Sequence, residues 1–209
     1  MIIMILCEYL MEVTMSLVTK PAPDFQAKAV LADGSIVENF RLSGFQGKYV
    51  VLFFYPMDFT FVCPTEILAF NDQLDEFKKR NVEVIGVSVD NPHVHWAWRE
   101  TTVEKGGIGR IGYPLVADLS KKIARDYGVL LNEEVALRGL FLIDRKGIVR
   151  HELVNDLPLG RSIDEAIRMV DALQTFEEFG EVCPANFRKG STTMKADHEG
   201  VSVYLSARK

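Results

Sequence analysis

Residues 49–55, Tyr-Val-Val-Leu-Phe-Phe-Tyr, form an apolar run that does not alternate with polar residues. A strand with one wet face shows a period of two, so this run belongs at a sheet centre with both faces covered. That requirement directs the chain to a layered α/β architecture. The run ends at Pro56 and continues through Met57-Asp58-Phe59-Thr60-Phe61-Val62 to Cys63-Pro64-Thr65-Glu66. Pro64 suits a first helical position, where its missing N–H costs nothing, and Ile67, Phe70, Leu74 and Phe77 recur at helical spacing through about Arg80. Cys63 is therefore expected at the N-cap or in the first turn. Free N–H groups and the macrodipole at such a position favour thiolate over thiol, and Thr60 places a hydroxyl three residues earlier.

The flanking chain supplies the layers. Phe25–Leu31 and Ser35–Leu42 read as a hairpin about Ala32-Asp33-Gly34. Val82–Val89 is the strand after the first helix, giving a parallel strand-helix-strand unit. Asp90 caps or precedes a helix carrying Trp96, Trp98 and Val103, which Gly106-Gly107-Ile108-Gly109 breaks. Tyr113–Ala117 is a short strand, Asp118 an N-cap, and Leu119–Tyr127 a helix closed by Gly128. Gly139–Asp144 and Ile148–Val154 form a second hairpin. Ser162-Ile163-Asp164-Glu165 is a capping box for a helix with Ile163, Ala166, Ile167, Val170 and Leu173 as its apolar stripe. This order matches an α/β thioredoxin-like fold with an N-terminal β-hairpin, its core domain spanning residues 16–179.

Residues 180–209 carry no comparable periodicity and read as a C-terminal extension holding the second cysteine of interest. Such a tail is either disordered or packed on a partner, and Tyr204 and Leu205 favour the partner. Residues 1–15 read as a non-core extension, with Met15 as the expected original initiator and Cys7 as an incidental thiol. Their apolar start lacks a preceding Lys or Arg, is interrupted by Glu8 and Glu12, and is far shorter than the roughly 18 apolar residues of a spanning helix.

A formal net charge of -5 without a long Lys/Arg run argues against nucleic acid and anionic membranes as partners. The three cysteines, Cys7, Cys63 and Cys183, are too few and too dispersed for a secreted disulfide scaffold, which points to a reducing, cytoplasmic setting. No CxxC pair exists, and His93, His95, His151 and His198 are scattered, so no metal or cofactor is expected. A CxxC oxidoreductase would need a cysteine at position 66, where this chain has Glu66. The redox partner of Cys63 must come from elsewhere. Glu66 itself either pairs with a basic group near the pocket or compensates the helix dipole.

Pro56-x-x-x-Thr60-x-x-Cys63 is similar to the active-site motif of peroxiredoxins, and Phe54 through Glu66 resembles the typical 2-Cys branch. Val182-Cys183-Pro184 resembles that branch's resolving-cysteine segment. Trp98, Gly106–Gly109 and Arg138-Gly139 fall in the same order and spacing. The resemblance implies a peroxidatic role for Cys63, whose thiolate attacks a peroxide oxygen to give a sulfenic acid. It implies that Thr60 hydrogen-bonds the peroxide, Pro56 shields the sulfenic acid, Arg138 holds thiolate and peroxide, and Glu66 and Trp98 support the site. Cys183 is then the resolving cysteine of a partner subunit. The resemblance further implies a homodimer, often assembled as a decamer of five dimers, recycled by thioredoxin or a dedicated flavoprotein disulfide reductase. Members prone to over-oxidation pair a GGLG-like loop with a C-terminal Tyr-Phe, whereas this chain has Gly106-Gly107-Ile108-Gly109 and Tyr204-Leu205. A holdase surface, the alternative class of function, does not require the set Pro56, Thr60, Cys63 and Arg138.

Overall fold

The structure, a computed structural model, describes residues 16–207; the expectations for residues 1–15 and Cys7 lie outside the described residues. Its centre is the apolar run, which forms β3 (Tyr49–Phe54) with every residue buried. Neighbours occupy both edges. β4 (Val82–Ser88) pairs parallel to it and β8 (Arg138–Ile143) antiparallel. With β1 (Gln26–Val30), β2 (Ile36–Arg41), β5 (Leu115–Ala117) and β9 (Val149–Asn155) the sheet has seven strands in the order β2-β1-β5-β4-β3-β8-β9. The N-terminal hairpin therefore belongs to the main sheet, since β1 also pairs antiparallel with β5.

Strand pleating sorts β3 into two cores. Tyr49, Val51 and Phe53 point into one cluster with Ile67, Phe70, Phe77, Trp98 and Val170, while Val50, Leu52 and Phe54 point into another with Phe25, Ile123, Tyr127 and Val129. Each fully buried large side chain contributes roughly 1.5–3 kcal/mol relative to exposure. A polar residue anywhere in β3 would therefore be costly, which is why the run cannot alternate.

Several helices differ from expectation in extent. The helix expected through Arg80 is two helices, α1 (Cys63–Asp72) and α2 (Leu74–Lys79), broken at Gln73 with φ -96° and ψ 6°. Ile67, Phe70, Leu74 and Phe77 are all buried across that break. Periodicity reports the buried face, and the break preserves it. α3 (Pro92–Glu100) is capped by Asn91 rather than Asp90: the Asn91 side chain accepts from the backbone N–H groups of His93 and Val94. Val103 falls in a separate 3₁₀ turn, Val103–Lys105. Asp118 does not directly precede its helix. α4 covers only Lys122–Asp126, and Asp118 Oδ2 accepts from Ala124 N–H at 2.8 Å across the intervening turn.

α5 (Ile163–Phe179) carries half of the expected capping box: Ser162 accepts from Glu165 N–H, while the Glu165 carboxylate turns to Arg168. Two elements had no sequence signal. One is a small hairpin, β6 (Leu130–Leu131) and β7 (Val135–Ala136), turned by Asn132 and Glu133 at positive φ. The other is α6 (His198–Ser206) in the tail, capped by Asp197. It buries no residue in this chain and leaves Val201, Val203 and Leu205 exposed, so it has no apolar stripe to read. No described helix is long and apolar enough to cross a membrane.

Candidate active site

The site forms where β3 ends and β8 begins. Their antiparallel register pairs Phe53 with Leu140, and continuing it by two residues brings Arg138 level with Tyr55. β3 runs through Tyr55 and Pro56, both buried, into the loop that delivers Cys63 to the first position of α1. Phe59 takes φ 53° in that loop, a left-handed conformation uncommon for a bulky side chain. Strain of this kind persists only where surrounding contacts hold it, and here the Phe59 ring packs 5.7 Å from the Trp98 ring.

Cys63 is fully buried, and Arg138 Nη1 donates to its Sγ at 3.5 Å. The same Nη1 donates to Glu66 Oε2 at 2.6 Å, and Arg138 Nε is fixed by the Leu157 carbonyl at 2.7 Å. Glu66, one turn beyond Cys63 on α1, is 3% exposed. Burial alone would push its carboxyl up, but hydrogen bonds and charge from Arg161, with Arg138 behind them, hold it below the usual carboxylate range. Of the two sequence readings of Glu66, the pairing one describes the geometry.

Arg161 is the participant that the sequence did not reveal. It lies in the loop before α5 and forks onto Glu66 through Nε to Oε1 at 2.7 Å and Nη2 to Oε2 at 2.9 Å. Its Nη1 also donates to the carbonyls of Phe54 at 2.8 Å and Gly139 at 2.5 Å, so it ties the ends of β3 and β8 together. No motif marks it.

Thr60 is half-buried, and its hydroxyl donates to the Met57 carbonyl at 2.9 Å, which leaves the oxygen free to accept from another donor. Trp98 is fully buried and donates from Nε1 to Gly106 O at 2.9 Å, linking the active-site loop to the Gly106–Gly109 loop. Gly107 must lack a side chain, because a Cβ there would stand 2.0 Å from Thr101 O.

Beneath the loop lies a polar group that the sequence also missed. Asp58 Oδ2 is 2.7 Å from His95 Nδ1, Tyr55 OH donates to Asp58 Oδ1 at 2.8 Å, and Asp90 Oδ2 accepts from Asp58 N–H at 2.9 Å. Burial pushes the Asp58 carboxyl up, while the His95 contact pulls it down. Asp58, Asp90 and His95 could offer three ligand atoms within 4.8 Å of one another. Those atoms already satisfy each other and the loop backbone, so the grouping acts as a loop anchor.

Cys183 is placed elsewhere. Its Sγ donates to Ala172 O on α5 at 3.3 Å, and both Cys63 and Cys183 are free thiols. Burial pushes the Cys183 thiol up, with the Arg168 charge opposing. Chemically, the arrangement at Cys63 can present a sulfur beside a fixed cation at a helix N-terminus, with donors available for an oxygen that gains charge.

Comparison with known proteins agrees with this geometry. The AhpC/TSA family matches residues 18–152, and the C-terminal domain of 1-Cys peroxiredoxin matches residues 172–207. Alkyl hydroperoxide reductase C of Helicobacter pylori is 59% identical over 190 residues, 90% of this chain and 96% of that protein. Peroxiredoxin-1 of Gallus gallus is 54% identical, covering 91% and 96%. The crystal structure of reduced Plasmodium vivax 2-Cys peroxiredoxin superposes with a TM-score of 0.90 at 52% identity, covering 92% of this chain and all of that one. The fully covered central strand, the helix-borne cysteine under an arginine and these matches lead to one conclusion: the chain belongs to the AhpC/TSA family and is a peroxiredoxin, a thiol-dependent peroxidase.

Proposed function

We propose that Cys63 is the peroxidatic cysteine and Cys183 the resolving cysteine of a partner subunit. The Cys63 thiolate attacks one oxygen of hydrogen peroxide or an organic hydroperoxide. The O–O bond breaks, the sulfur keeps one oxygen as a sulfenic acid, and the other leaves as water or an alcohol. Arg138 steadies the sulfur and the polarising peroxide, Thr60 hydrogen-bonds the peroxide oxygens, and Pro56 closes the pocket wall. Glu66 and Arg161 hold Arg138 in place, and Trp98 supports the loop. The observation that carries this reading is the single Arg138 nitrogen shared between Cys63 Sγ and Glu66 Oε2.

The assembly is a homodimer with two intersubunit Cys63–Cys183 disulfides, grouped as five dimers, in the cytoplasm. Thioredoxin or a flavoprotein disulfide reductase restores the thiols. Residues 16–179 act as the peroxidase domain and 180–209 as the arm that carries the second thiol. Stopped-flow peroxide consumption tests the assignment. Cys63→Ser should abolish it, and a variant that kept the wild-type rate would sink the reading. Cys183→Ser should allow one oxidation but yield no disulfide-linked dimer on non-reducing gels.

A further inference from the structure

Cys183 is docked on α5, and a side chain of that helix helps to fasten it. Its Sγ donates to Ala172 O, and one turn earlier on α5 Arg168 Nη1 donates to Phe187 O at 3.1 Å. Phe187 is 2% exposed, and its N–H closes a turn onto Pro184 O. Arg168 is itself immobilised by a fork onto Glu165, Nε to Oε2 at 2.6 Å and Nη2 to Oε1 at 2.7 Å. An i,i+3 pair on a helix needs no third partner, yet this guanidinium spans from α5 to the segment that carries the thiol.

We propose that Arg168 is a positioning residue for disulfide formation, latching the Cys183 segment to α5 and setting how readily that thiol is released to a second chain. The inference rests on reading Cys183 as the resolving cysteine. In that step the Cys183 sulfur bonds the Cys63 sulfur and the S–O bond of the sulfenic acid breaks. The oxygen leaves as water with the Cys183 proton, so one thiol and one sulfenic acid give one disulfide and one water. The sulfur cannot attack while it is held against Ala172 O, so opening of the latch precedes attack. The charged and titratable groups around it are Arg168 and Glu165 on α5, His151 on β9, Arg188 beside Phe187, and Asp171, which pairs with Arg80 at 2.8 Å and Lys189 at 3.8 Å. Arg168 thus has two separable effects, a contact that restrains the segment and a charge that favours the thiolate.

The test is carried out on the full chain. In a Cys63→Ser background, alkylation of Cys183 by iodoacetamide is followed across pH. In the chain with Cys63 present, disulfide-linked dimer is timed after one equivalent of hydrogen peroxide. A half-exposed charged hydrogen bond restrains opening by about three- to tenfold. Arg168→Met should raise the high-pH alkylation plateau and the dimer-forming rate by that factor and move the alkylation midpoint to higher pH. Arg168→Lys keeps the charge and loses the fork, so it should raise the plateau with a smaller midpoint shift. Glu165→Gln, which weakens the fork and removes one negative charge but keeps Arg168, should raise the plateau as well. A wild-type plateau in all three variants would refute the latch, whether or not the midpoint moved. If Cys183→Ser still forms the intersubunit disulfide, the reading of Cys183 fails instead.

Discussion

Arg161 and Glu66 meet through both guanidinium and main chain: beyond the two-point fork, the Arg161 N–H donates to Glu66 Oε1 at 2.8 Å, and both side chains are shielded from solvent at 0% and 2% exposure. A carboxylate held this way has no water to replace a lost partner.

Replacing Glu66 by Gln should therefore destabilise the fold by about 3 kcal/mol, because Arg138 and Arg161 keep buried charge without compensation. Urea unfolding measures this. The pH dependence follows from linkage: the folded carboxyl lies below its unfolded value of 4.5, so its contribution is present above that value and is lost as pH falls through the folded one. Wild type should lose more stability than Glu66→Gln between roughly pH 7 and pH 3. Parallel losses would show that Glu66 is not the titrating group.

At Arg138 geometry should matter as much as charge. Arg138→Ala removes a donor aimed at the reacting atoms, worth about a hundredfold in rate. Arg138→Lys keeps a cation but cannot span Cys63, Glu66 and the Leu157 carbonyl at once, so it should recover less than roughly a tenth of the wild-type rate. Stopped-flow oxidation rates decide the matter, and full recovery by Lys would reduce the role to simple charge.

For Thr60 the proposed role rests on the hydroxyl and not on the methyl. Thr60→Ser should stay within about threefold of wild type and Thr60→Val should fall by roughly a hundredfold in peroxide reactivity. Equal rates for Ser and Val would remove Thr60 from the site.

Because Cys63 Sγ is fully buried, it cannot reach another chain while α1 is wound to its first residue. Hydrogen exchange at residues 63–66 should be markedly faster in the disulfide form than in the reduced form, with β3 unchanged. Identical protection in the two forms would mean that this turn does not move.

The sheet centre, the parallel strand-helix-strand unit and the placement of Cys63 were legible because each rests on local chemistry: a non-alternating run, a helix-starting proline, a helical stripe followed by a second apolar strand. What escaped reading was long-range or partner-dependent. Arg161 joins Glu66 across 95 positions of sequence, and nothing near either residue announces the other. His95 lies 37 positions from Asp58 and read as one of four scattered histidines. The break at Gln73 was invisible because the buried stripe continues through it. α6 was invisible because none of its residues is buried, so no apolar stripe marks it.

Glu66 lies in the first turn of α1 with Cys63, whereas Arg138 and Arg161 stand on β8 and in the loop before α5, so in the proposed cycle the carboxylate moves and the two cations stay. When that turn unwinds to release the sulfur, the carboxylate that orders Arg138 and Arg161 leaves with it. Arg138 would then keep the Leu157 carbonyl and Arg161 the Phe54 and Gly139 carbonyls, but neither would be aligned by the carboxylate until the turn closed again. On that reading, readiness for the next peroxide would require the turn to rewind, so refolding of about three or four residues would accompany the chemistry of each turnover.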